Sequence, residues 1–122
     1  MNINQSFPGA SLDHMREEWR IKALEWSAAH ALASELSEGR KLLLDEMTLR
    51  LCSEDEKLSL AKAEKIARTS VQFRAYLRRL YDAERIAQDL KIEASNLDRA
   101  YYEQVGSEAH ERASMRLHGV GR

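Results

Sequence analysis

The sequence predicts an all-α protein: two long helices in an antiparallel, coiled-coil-like hairpin, joined by a short helical connector. Three observations carry that expectation. Helix breakers are few, with one Pro and five Gly in 122 residues. Ala, Leu, Glu, Arg, Lys and Ser dominate the rest, most of them good helix formers, while the β-branched residues that fill strands are scarce. Apolar residues recur at steps of three and four over two stretches of about 40 residues, each reaching about 60 Å as a helix.

A single domain is expected at this length, with residues 1–10 as a flexible polar arm and 11–122 as the helical-hairpin domain. The first helix is placed at about 12–52, with Ser11 as N-cap and Asp13 in the first turn, where a carboxylate suits the helix dipole. Leu24, Ala28, Leu32, Leu36, Leu43, Met47 and Leu51 form its apolar stripe, joined by Met15 and Ile21. Gly39 interrupts it, either as a tolerated glycine or as a point where another helix approaches closely. Then "CSEDEK" breaks the pattern. Ser53 and Glu56 have the spacing of a capping box, and the same acidic run also suits a solvated linker.

A short helix at about 59–68 follows, with Leu60, Ala63 and Ile66 or Ala67 facing inward, and Thr69-Ser70 as the cap of the next element. The second long helix is placed at about 71–117. Phe73, Leu77, Leu80, Ala87, Leu90, Ala94, Leu97, Tyr101 and Val105 share its apolar face, and Gly106-Ser107 is a potential kink. A hairpin has a narrow core, so Trp19, Trp26, Tyr76, Tyr81 and Tyr102 are expected to stay partly exposed. Trp19 and Trp26 are seven apart and share a face. We therefore expect a homodimer with Trp19, Trp26, Tyr76 and Tyr81 at its interface. The alternative is that both Trp pack on the other long helix near its C-terminus.

Charge is polarised along the chain. Between Lys57 and Arg79 stand Lys57, Lys62, Lys65, Arg68, Arg74, Arg78 and Arg79 against Glu64 alone, a net +6 in a chain whose total is −1. Phosphate backbone is the natural counterpart of such a segment, through salt-sensitive contacts. A solvated basic face, paired with neighbouring acids, is the plain reading of the same residues. Phe73, Tyr76 and Tyr81 lie beside the Arg residues and offer stacking on unpaired bases, unless they belong to the core. A short helix, a Thr-Ser break and "VQFRAYLRRL" have a helix-turn-helix flavour, but the usual turn glycine and a base-reading face are missing.

Other functions find little support. One cysteine, Cys52, permits no intrachain disulfide and fits a reducing compartment. The N-terminus lacks the pattern of a signal peptide, and no apolar run has the length of a membrane span. A cytosolic protein with no membrane partner is expected. His14, His30, His110 and His118 are scattered without metal-ligand spacing, and His30 reads as a boundary residue. Asp45-Glu46 and Glu17-Glu18 are adjacent on a helix and point in different directions, so they make no acid/base pair. No phosphate loop or nucleophile elbow is present. No enzyme activity, no cofactor and no metal are expected.

The blocks "KALEW" (22–26), "SLAKAEKIARTS" (59–70), "FRAYLRRLYDA" (73–83) and "EAHERASMRL" (108–117) resemble a group of small all-helical proteins encoded in phage and prophage genomes of proteobacteria. The resemblance implies a helical hairpin in the cytosol of a bacterial host. Genes of that group tend to lie near recombination genes, which implies an accessory role in DNA metabolism. No catalytic residue carries over. The expected partner is DNA, or a host or phage DNA-processing protein, met through the basic connector. The other class considered is a counter-defence or host-takeover protein, such as an anti-CRISPR or nuclease inhibitor, that binds and blocks a host protein.

Overall fold

The computed structural model describes residues 8–119, and three helices account for nearly all of them: α1 (Pro8–Glu54), α2 (Leu60–Arg68) and α3 (Val71–Gly119). No strand occurs among the described residues. Residues 1–7 of the expected arm lie outside them.

The helix α1 starts at Pro8, earlier than the sequence suggests. Proline suits a first helical position, where its fixed φ is already helical and its missing N–H has no partner to lose. Ser11 is therefore inside the helix and no N-cap, and Asp13 falls beyond the first turn. At the other end, Ser53 belongs to the last turn of α1, so the expected capping box does not form. Asp55 organises the turn instead. Its N–H donates to the Leu51 carbonyl at 3.0 Å, its carbonyl accepts from Leu58 at 3.1 Å, and its Oδ1 accepts from the Lys57 N–H at 3.0 Å. This is the local bonding that makes Asp a turn residue.

The N-cap of α2 is Ser59, in extended conformation, with its Oγ accepting from the Lys62 N–H at 3.2 Å. The Thr69-Ser70 joint matches expectation. Thr69 closes α2, its N–H donating to the Lys65 carbonyl at 3.2 Å and its Oγ1 to the Lys65 and Ile66 carbonyls at 3.1 and 3.2 Å. The Ser70 Oγ donates to the Ala67 carbonyl at 2.7 Å and accepts from the Phe73 N–H at 3.1 Å. One hydroxyl thus finishes α2 and starts α3. From there α3 runs through Gly106 and Ser107 without the expected break.

Contacts fall into two compact units: Ser27–Gln88, and Met1–Trp26 with Asp89–Arg122. The first holds two buried clusters. Ala33, Leu36, Leu80, Ala83 and Ala87 form one, with Ala29, Tyr76 and Leu77 packed against it. Leu44, Met47, Ala67 and Phe73 form the other, flanked by Leu43, Leu51 and Leu77. Within α2, Ala63 and Ala67 are fully enclosed; Leu60 is exposed, contrary to expectation, and of the pair Ile66 and Ala67 it is Ala67 that faces inward. A methyl side chain lets a short helix lie close to its neighbours. Gly39 is a site of close approach. A Cβ there would stand 2.6 Å from the Tyr76 hydroxyl, which donates to the Leu36 carbonyl at 2.6 Å.

The second unit has less apolar burial, with Ala94 and Glu108 its buried side chains among the described residues. Cations tie it together. The Arg16 guanidinium donates two bonds to Asp98 Oδ1, at 3.1 and 3.2 Å, and lies 4.3 Å from the Trp19 ring centre and 4.2 Å from that of Tyr101. The Lys22 ammonium reaches Glu93 at 3.1 Å and Glu25 at 3.3 Å, hydrogen bonds that raise its pKa above the ordinary lysine value.

The apolar stripe of α1 needs correction. Counting back from buried Leu36, each step of four swings about 40° off the seam, and Leu32 and Leu24 are 49% and 58% exposed. The least exposed side instead follows Trp19, Ala23, Trp26, Ala29, Ala33 and Leu36. On α3 the expected face is the buried or partly buried one throughout.

Candidate nucleic-acid interface

Every cation of the basic segment belongs to the unit Ser27–Gln88, and all seven are exposed. Lys57 stands in the Asp55 turn. On α2, buried Ala63 and Ala67 set the inner side, which leaves Lys62, Lys65 and Arg68 outward. On α3, Arg74 and Arg78 are four apart and share an exposed face, while Arg79, one position on, points about 100° away. Arg68 is committed to Glu64, with its Nη2 at 2.7 Å and its Nε at 3.3 Å from Oε1. The side chains of Lys57, Lys62, Lys65, Arg74, Arg78 and Arg79 make no ion pair among the described residues.

The aromatic residues divide. Phe73 is 4% exposed and belongs to the core. Tyr76 is partly buried and its hydroxyl is spent on Leu36, so neither ring is free to stack on a base. Tyr81 is 56% exposed and is the ring of the three that solvent reaches. Trp19 and Trp26 are partly buried and, with Ala23, line a groove against Lys91, Ala94, Ser95 and Asp98 of α3. The groove lies midway along α3, not near its C-terminus, where the packing alternative placed both Trp.

Two cations were not marked by the sequence. Arg40 and Lys41 come from α1, yet they share a pocket with Arg68 and Tyr81. The "RK" pair after Gly39 was the available signal; only folding shows that it lies beside α2.

Among the described residues no three His, Cys, Asp or Glu side chains gather as a metal site requires. No helix among them is long and apolar enough to cross a membrane. Comparison of the chain with protein-family models, curated proteins and solved structures gives no match.

Proposed function

We propose that this chain is a non-enzymatic accessory protein of phage DNA metabolism that contacts nucleic acid through its basic connector. The observation that carries the reading is the set Lys62, Lys65, Arg74, Arg78 and Arg79, exposed and without an ion pair among the described residues, in a segment of net +6. Cations already paired with carboxylates gain little from phosphate, whereas unpaired ones release counterions on meeting it. The phage origin and the setting in a host cytosol rest on the resemblance of the four sequence blocks.

The finer architecture in this reading is an antiparallel hairpin that dimerises. Its support is the order of partners: Arg16 meets Asp98, Lys22 meets Glu93 and Leu36 meets Tyr76, so rising positions on α1 meet falling positions on α3. A dimer finds its support in the exposed Leu42 and Leu49, seven apart and on one side of α1, rather than in the tryptophans. A mass measurement in solution decides the oligomeric state.

Gel shift with single- and double-stranded DNA at about 50 mM salt tests the contact. A shift is expected, weakened by reversing the charge of Lys65, Arg68 and Arg78. No shift by the wild type, or an unchanged shift by the variant, rejects direct nucleic-acid contact.

A further inference from the structure

Where α1, α2 and α3 meet in the unit Ser27–Gln88, a pocket of about 460 Å³ opens to solvent. Its floor is apolar, made by buried Leu44 and Phe73 with partly buried Leu77. Around it stand Arg40, Lys41, Asp45, Glu64, Arg68 and Tyr81. Glu64 is taken up by Arg68. Arg40 and Lys41 are exposed and carry no ion pair among the described residues, and Tyr81 presents its ring to solvent.

We infer that this pocket seats one unpaired nucleotide, which makes single-stranded nucleic acid the ligand of the basic surface. The inference rests on the proposed nucleic-acid contact and names its form. Two free cations match a phosphate, by charge-assisted hydrogen bonds from guanidinium and ammonium. An exposed tyrosine matches the face of a base, and stacking of this kind accepts any base. The carboxylate of Asp45 offers an acceptor for a sugar hydroxyl or an exocyclic amine. The volume falls within the range of small-ligand pockets, about 300–1,000 Å³, and the polar and charged side chains around the mouth outnumber the three apolar ones of the floor, as suits a charged ligand. A duplex satisfies the cations but not the tyrosine, because its bases are stacked inside and cost energy to extrude. Arg40 and Lys41 also add two unpaired cations on α1 to those of the connector, in the same unit.

The test is fluorescence anisotropy with a labelled oligothymidylate of about ten nucleotides and with a duplex of the same length, at about 50 mM salt. The proteins are the wild type, Tyr81→Ala, Tyr81→Phe, the double variant Arg40→Ala/Lys41→Ala, and Lys62→Ala/Lys65→Ala. All the substituted side chains are exposed, so the fold is expected to survive in each. Single strand is expected to bind about tenfold tighter than duplex. Tyr81→Ala should lose about tenfold on single strand alone, and Tyr81→Phe should restore it. Arg40→Ala/Lys41→Ala should weaken single strand more than duplex. Equal binding of the two forms, or a Tyr81→Ala variant that binds single strand like the wild type, overturns the pocket assignment. In that outcome the connector reading survives if Lys62→Ala/Lys65→Ala still weakens binding. Binding of neither form by the wild type overturns both.

Discussion

Gly39 and Gly106 sit in continuous helix and meet different surroundings. Nothing lies within 4 Å of a Cβ at Gly106, whereas one at Gly39 would press on the Tyr76 hydroxyl. Gly106→Ala should therefore stabilise the protein by about 1 kcal/mol, the intrinsic helix preference for Ala over Gly. At Gly39 the same gain is offset by displacing Tyr76 and losing its hydrogen bond to Leu36, worth about 1 kcal/mol. Gly39→Ala should be neutral or destabilising in the wild type. In a Tyr76→Phe background it should become stabilising, since the next ring atom stands at 3.8 Å, an ordinary contact. Urea unfolding of the four proteins in this cycle measures the sign; the same sign in both backgrounds would remove the close-approach account. The sequence left Gly39 open between tolerance and contact because a glycine looks alike in both cases. Only a partner 37 positions away in the chain, Tyr76, decides it.

At the level of elements, the joint between α2 and α3 depends on Ser70 more than on any neighbour. Its hydroxyl bonds Ala67 on one side and Phe73 on the other. Ser70→Ala should cost about 0.5–2 kcal/mol, the range for an N-cap serine. Ser53→Ala should cost close to nothing, since Ser53 is an exposed residue within α1 and caps no helix. Chemical denaturation of the two variants separates a true cap from a matching motif. The contrast also shows how far the sequence could be read. Thr69-Ser70 and the apolar face of α3 were legible, because a cap is local and α3 carries large apolar residues at regular steps. The seam of α1 was not. Much of it is made of Ala23, Ala29 and Ala33, which weigh little in any apolar count, while Leu24 and Leu32 advertise a stripe that solvent covers. In the same way Arg40 and Lys41 escaped a charge count taken along the chain, since their neighbourhood with Arg68 is spatial.

For the whole molecule, the distribution of burial is uneven. The unit Ser27–Gln88 owns both apolar clusters, and Leu80, at 1% exposure, is the largest side chain that is fully enclosed. The other unit relies on cations: Arg16 on Asp98 and two rings, Lys22 on two carboxylates. Exposed ion pairs contribute little, commonly up to about 1 kcal/mol each. A buried carboxylate at Glu108, one of whose oxygens has no partner among the described residues, adds a cost there rather than a gain. The cationic surface and its pocket thus sit on the better packed unit.

That imbalance has a consequence for time rather than energy. Local opening in a protein proceeds by cooperative segments whose opening cost follows their packing. Both α1 and α3 are unbroken helices, yet each contributes to the two units, dividing near Trp26 and Ser27 on one and near Gln88 and Asp89 on the other. Backbone amides of one continuous helix should therefore trade deuterium for hydrogen at two paces. Residues 27–54 and 71–88 should be slow, and residues 12–26 and 89–118 fast, with the step inside each helix. Native-state exchange read by mass spectrometry on overlapping peptides would show it. A uniform rate along α1 would mean that the helix opens as a single body, whatever its neighbours.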